Sequence, residues 1–90
     1  MRAVIVCRDN QDYSRDVEDF LRDFEMRTGK EIEKIDPDSI EGEAFCSAHD
    51  VVEYPTILAL DDSGKVLDEW RGREFPRIDE VSYYARDKKM

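Results

Sequence analysis

Two short stretches of this chain are apolar without interruption, and they limit what it can fold into more than any other feature. Residues 3–7 read Ala-Val-Ile-Val-Cys, and residues 57–60 read Ile-Leu-Ala-Leu. A strand turns successive side chains to opposite faces, so an unbroken apolar run leaves no face for water. Bounded by polar and charged residues, both runs predict central strands covered on both sides. A chain of 90 residues has room for one modest core, so a single domain spanning 1–90 is expected.

The remaining pattern supplies the cover and the edges. Val17, Phe20, Leu21 and Phe24 recur at i, i+3, i+4 and i+7, which predicts a helix over 13–28. Asp12 or Ser14 can cap its start, and Gly29 suits the residue that ends it. Residues 31–36 carry only Ile32 and Ile35 as apolar members and predict a weak edge strand. Asp36-Pro37-Asp38-Ser39 is a turn into a second helix over 40–48, capped by Asp38 or Ser39, with Ile40, Ala44, Phe45 and Ala48 as its apolar members. Asp61-Asp62-Ser63-Gly64 is a hairpin turn, with Gly64 at the position needing positive φ. The strand that follows, 65–71, places Val66 and Trp70 on one face with Asp68 between them. Pro76 opens a final helix in which Ile78, Val81 and Ala85 share a face, with Lys88 and Lys89 near its end. The order is β-α-β-α-β-β-α. An α/β fold with a four-stranded mixed sheet, spatial order 2-1-3-4, flanked by helices, puts the doubly apolar strands in the middle. Its first two strands run parallel through a right-handed crossover.

That order is similar to the thioredoxin/glutaredoxin fold. Residues 50–60, Asp-Val-Val-Glu-Tyr-Pro-Thr-Ile-Leu-Ala-Leu, resemble the family's Pro-Thr segment and the apolar strand after it. Residues 61–66 resemble its hairpin, and Trp70-Arg71-Gly72 the end of its fourth strand. The resemblance implies a cis peptide bond before Pro55, opposite the loop between the first strand and first helix. The family carries Cys-x-x-Cys in that loop. Aligned without a gap, this chain has Gln11-Asp12-Tyr13-Ser14 there, and residues 9–14 contain no cysteine. Dithiol exchange needs a thiolate and a neighbouring thiol that resolves the mixed disulfide. Ser14 is no substitute, because a hydroxyl without a base beside it is a poor nucleophile. Dithiol oxidoreductase activity is therefore not expected.

The chain's two cysteines are Cys7 and Cys46. Cys7 ends the first strand and reads as a small buried hydrophobe. Cys46 and His49 are spaced i, i+3 on the second helix. They read either as a thiolate stabilised by an imidazolium, the basis of a single-cysteine oxidoreductase or redox sensor, or as a half-buried cysteine beside a solvated histidine. A Cys7–Cys46 disulfide would need Cα atoms within about 7 Å. Cys7, Cys46 and His49 do not make an ordered ligand set, and the aspartate-rich turns lack EF-hand spacing, so no metal and no cofactor are expected. Tyr83 and Tyr84 are adjacent, so one of them must face outward or sideways, and a partner patch is one reading of that pair.

Charge narrows the partners. A net charge of −9 repels phosphate backbones and anionic membranes, so neither nucleic acid nor a membrane is expected. The same charge favours a monomer. Two cysteines in unlike contexts are no disulfide scaffold, which fits a cytoplasmic protein with reduced thiols. The apolar run at the start is too short for a signal peptide. Three functions remain open. One, implied by the resemblance to a family that holds extended substrates on this surface, is a non-catalytic domain that binds a protein or peptide over Gln11, Asp12, Tyr13, Ser14, Tyr54 and Pro55. Another is a single-thiol enzyme using Cys46. The third is a regulatory or structural domain whose fold carries no inherited site.

Overall fold

A computed structural model describes residues 1–87 and gives the order β1 (Arg2–Val6), α1 (Ser14–Thr28), β2 (Lys30–Glu31), β3 (Glu33–Ile35), α2 (Ile40–His49), β4 (Thr56–Leu60), β5 (Val66–Arg71), α3 (Ile78–Ser82) and β6 (Arg86–Asp87). The two apolar runs lie side by side in the middle of one sheet, whose order is β3-β1-β4-β5. This is the expected 2-1-3-4 arrangement. β1 is parallel to β3 and antiparallel to β4, and β4 is antiparallel to β5. Every residue of β4 is buried, as is every residue of β1 after Arg2.

Alternation divides these side chains between two cores. Ala3, Ile5, Cys7 and Ile57 point to the side covered by α1 and α3, where they meet Val17, Phe24 and Val81. Val4, Val6, Leu58 and Leu60 point to the side of α2 and meet Val51, Phe45 and Cys46. Full burial of one aliphatic side chain of this size contributes about 1.5–3 kcal/mol, so the side chains of these two strands contribute substantially to stability.

The second helix presents a different face from the one its large apolar residues suggest. Ile40 is 91% exposed, and Ala44 and Ala48 are also exposed. The covered stripe is Gly42, Phe45, Cys46 and His49, again at i, i+3, i+4 and i+7. Gly42 decides it. Ser39 caps the helix by accepting from the Gly42 N–H at 2.9 Å, while its own hydroxyl donates to the Asp36 carbonyl at 2.7 Å. This folds the turn so tightly that a Cβ at Gly42 would run into that carbonyl.

The edge strand also departs from simple alternation. Ala59 faces Asp68 but Leu60 faces Val66, leaving Leu67 as an extra residue. Such a bulge reverses the phase of the side chains. Val66 therefore packs on the α2 side and Trp70 on the other, not on one common face.

The final helix is shorter than the sequence suggests. It starts at Ile78 with Arg77 as N-cap, so Pro76 lies just outside it. Phe75 stacks on Phe20 of α1, with ring centroids 5.0 Å apart. Ile78, Val81 and Ala85 do face the α1 side together. Tyr83 and Tyr84 follow the helix, and Arg86–Asp87 pairs with Lys30–Glu31 as a two-stranded ribbon. Lys88 and Lys89 lie outside the described residues.

Gly42→Ala is predicted to lower stability by about 1–3 kcal/mol, as overpacking against fixed backbone does. In an unobstructed helix the same change would raise stability by about 0.5–1 kcal/mol. The sign of the change in urea-unfolding midpoint separates the two outcomes.

Candidate functional site

The loop after β1 and the segment before β4 meet where the sheet's two central strands begin and end. α2 stops at Asp50, which takes a left-handed φ of 57°. The chain then buries Val51, exposes Val52 and returns to the sheet through Tyr54 and Pro55. The Tyr54–Pro55 peptide bond is cis. Buried Thr56 closes this turn, its hydroxyl donating to the Glu53 carbonyl at 2.6 Å. The Gly72 N–H donates to the Pro55 carbonyl at 2.8 Å. The Tyr54 amide and carbonyl have no hydrogen-bond partner among the described residues.

On the facing loop, hydroxyl groups hold the backbone. The Tyr13 hydroxyl accepts from the Arg8 N–H at 3.0 Å. The Ser14 hydroxyl accepts from the Gln11 N–H at 2.9 Å and donates to the Arg8 carbonyl at 3.2 Å. Neither Asp12 nor Ser14 caps α1 in the usual way, because Tyr13 occupies the N-cap and makes no side-chain cap bond. Arg8 links this loop to its neighbours. Its guanidinium sits 4.7 Å from the centre of the Tyr54 ring and makes two bonds to Asp38, at 2.9 and 3.2 Å. The Arg8 hydrogen bond holds the Asp38 carboxyl below the ordinary carboxylate range. Arg73 reaches across to Asp12 at 3.1 Å and Asp16 at 3.4 Å.

The residues expected to form a binding surface are thus unequal. Gln11 and Asp12 are exposed, and Ser14 and Tyr54 are half-buried. The side chains of Tyr13 and Pro55 are buried, so they shape the surface from beneath and do not form its face. Val52 and Arg8 were not singled out from the sequence. Val52 is apolar yet 79% exposed, which its sequence neighbours do not signal. The role of Arg8 depends on Tyr54, far away in sequence.

The cysteines fall on opposite sides of the sheet, and both are free. Cys7 packs under α1, and burial pushes its thiol above the ordinary value, which disfavours the reactive thiolate. Cys46 is half-buried beside Tyr54. Burial, together with that neighbouring thiol, pushes the Tyr54 phenol above its ordinary value. His49 turns elsewhere. Its Nδ1 lies 3.0 Å from the Phe45 carbonyl and its Nε2 3.0 Å from the Gly64 carbonyl, so the ring sits between two backbone acceptors, one on α2 and one on the hairpin. Among the described residues, no group of three or more His, Cys, Asp or Glu side chains could hold a metal ion. Among them, too, no helix is long and apolar enough to cross a membrane.

With a cis proline facing the entry to the first helix over a 2-1-3-4 sheet, comparison with solved structures is decisive for the fold. Thioredoxin 1 from the thermophilic eubacterium Thermosipho africanus superposes with a TM-score of 0.64 over 93% of this chain and 89% of its own, at 21% identity. The fold is thioredoxin-like. No family model matches the chain, and no curated protein matches it. In the loop at 9–14, oxygen atoms of Tyr13 and Ser14 brace the backbone, and the sequence there contains no cysteine.

Thiol labelling of the native protein with Ellman's reagent is predicted to modify Cys46 no faster than an unstructured peptide thiol, and to modify Cys7 only after unfolding. Rapid labelling of both, or Cys46 reacting well above the peptide rate, would contradict this geometry.

Proposed function

We propose that this domain binds an extended segment of a protein or peptide along the Val52–Tyr54 edge and performs no dithiol exchange. The supporting observation is the backbone of Tyr54, whose amide and carbonyl are unpaired among the described residues beside a rigid strand. Buried backbone groups are nearly always paired, so an unpaired amide and carbonyl belong where water or a ligand can reach them. An extended segment laid against such an edge gains main-chain hydrogen bonds and takes its specificity from side-chain contacts. Exposed Val52 and the half-buried Tyr54 ring would supply those contacts. Arg8 holds that ring from one side, and the Gly72–Pro55 bond fixes the backbone behind it, so little ordering is left to do on binding.

The alternative is chemistry at Cys46, the thiol nearest this edge. Its support is position beside Tyr54 alone. Both nitrogens of His49 face backbone carbonyls, and among the described residues the imidazole makes no hydrogen bond to the Cys46 thiol.

Peptides selected from a displayed random library on the immobilised domain supply the ligand for the test. Tyr54→Ala and Val52→Asp are each predicted to weaken the selected peptides about tenfold or more, the scale of losing an interface anchor. Circular dichroism must show the variants folded. Undiminished binding by both folded variants would place the binding surface elsewhere.

A further inference from the structure

Beside the edge strand lies a groove that the Val52–Tyr54 edge does not use. It runs between β5 and the chain from α3 onward, has a volume of about 360 Å³, and is lined by Asp68, Trp70, Asp79, Glu80, Tyr83 and Tyr84. Three of the six are aromatic and the other three are carboxylates. Trp70 and Tyr84 are tilted at 58° with centroids 6.1 Å apart, and Tyr83 meets Tyr84 edge-on at 5.0 Å. Rings at such angles cannot stack into one slab, so they form walls at different orientations. Tyr83 is 71% exposed although a phenol ring gains by burial, which leaves its surface open to a ligand.

An aromatic face carries the negative end of the ring quadrupole and attracts a cation, and the attraction grows as water is displaced. Arg8 over Tyr54 already satisfies that chemistry internally. Among the described residues no cationic side chain sits over Trp70, Tyr83 or Tyr84. Arg77 touches the rim through Asp79 at 3.5 Å and Glu80 at 3.6 Å, but its side chain is 76% exposed, and such pairs contribute little. Asp68 accepts the Glu69 N–H at 2.8 Å and has no ion-pair partner among the described residues. Burial, with Asp68 and Tyr83 beside it, pushes the Tyr84 phenol above its ordinary value.

A hard metal ion demands several oxygen ligands converging on one point. The described residues bring no such set together. Aromatic walls with carboxylates at the rim suit a large, weakly hydrated cation instead. We infer that the groove between β5 and α3 binds an organic ammonium cation, with Trp70, Tyr83 and Tyr84 against its alkyl groups and Asp68, Asp79 and Glu80 balancing its charge. A free quaternary ammonium compound and a methylated lysine side chain share this chemistry.

Trp70 is the chain's one tryptophan, so its fluorescence reports on the groove directly. The full chain is titrated with tetramethylammonium chloride, with sodium chloride at matched ionic strength, and with a short peptide carrying trimethyllysine. Saturable change with the two organic cations, absent with sodium, is the expected result. Tyr83→Ala and Asp68→Asn are each expected to weaken it about fivefold or more, the scale of a partly desolvated cation–π contact or of one lost charge. A peptide affinity well above that of tetramethylammonium assigns the cation to a partner's side chain, and equal affinities assign it to a free small molecule. Shifts of the Tyr83 and Tyr84 ring protons in the unmodified protein give the same answer without any variant. Equal responses to sodium and tetramethylammonium, unshifted tyrosine rings, or undiminished binding by a folded Tyr83→Ala protein would overturn the inference.

Discussion

β1 and β4 lie side by side in the sheet, and between them they expose almost nothing to water. All else in the fold follows from hiding both of their faces. One face needs α1 and α3, the other needs α2, and a chain of this size has little left over. The partly polar strands β3 and β5 are thereby sent to the edges, where one face can be wetted. The register follows as well, because slipping either central strand by one residue would exchange the two cores while their helices stayed in place.

The same constraint places the Pro55 edge. β4 is buried from its first residue, so the chain must turn sharply into it, and buried Thr56 and the Gly72–Pro55 bond secure that turn. The facing loop must bridge the end of β1 and the start of α1. In this chain it does so with hydroxyl-to-backbone bonds from Tyr13 and Ser14. The loop is thus a finished piece of structure, and its architecture is independent of sulfur. A scaffold built around two buried strands can carry a loop without cysteines there.

How much of this was legible depends on the range of the signal. The central strands and the sheet order could be read because unbroken apolar runs have one physical meaning in a short chain. Ser39 as a cap, and Gly29 and Gly64 at positive φ, could be read because their causes are local. The inner face of α2 could not. Ile40 is the most apolar residue of that helix, yet Gly42 faces inward because the Asp36 turn approaches too closely for any side chain. The bulge at Leu67 leaves no mark on the sequence, and it moves Trp70 to the core opposite Val66. The ribbon of Lys30–Glu31 with Arg86–Asp87 is too short to show any periodicity. At the candidate site, Tyr54 and Pro55 came from the family resemblance. The burial of Tyr13, the reach of Arg8 and the turning away of His49 all depend on contacts distant in sequence.

The thioredoxin-like scaffold of this chain holds its helix-entry loop together with no cysteine in residues 9–14. The most direct measurement is the rate at which dithiothreitol reduces insulin with and without the purified domain. The predicted result is one rate for both. A clear, concentration-dependent acceleration by the domain, lost when Cys46 is replaced by serine, would contradict the account and restore the chain to thiol chemistry.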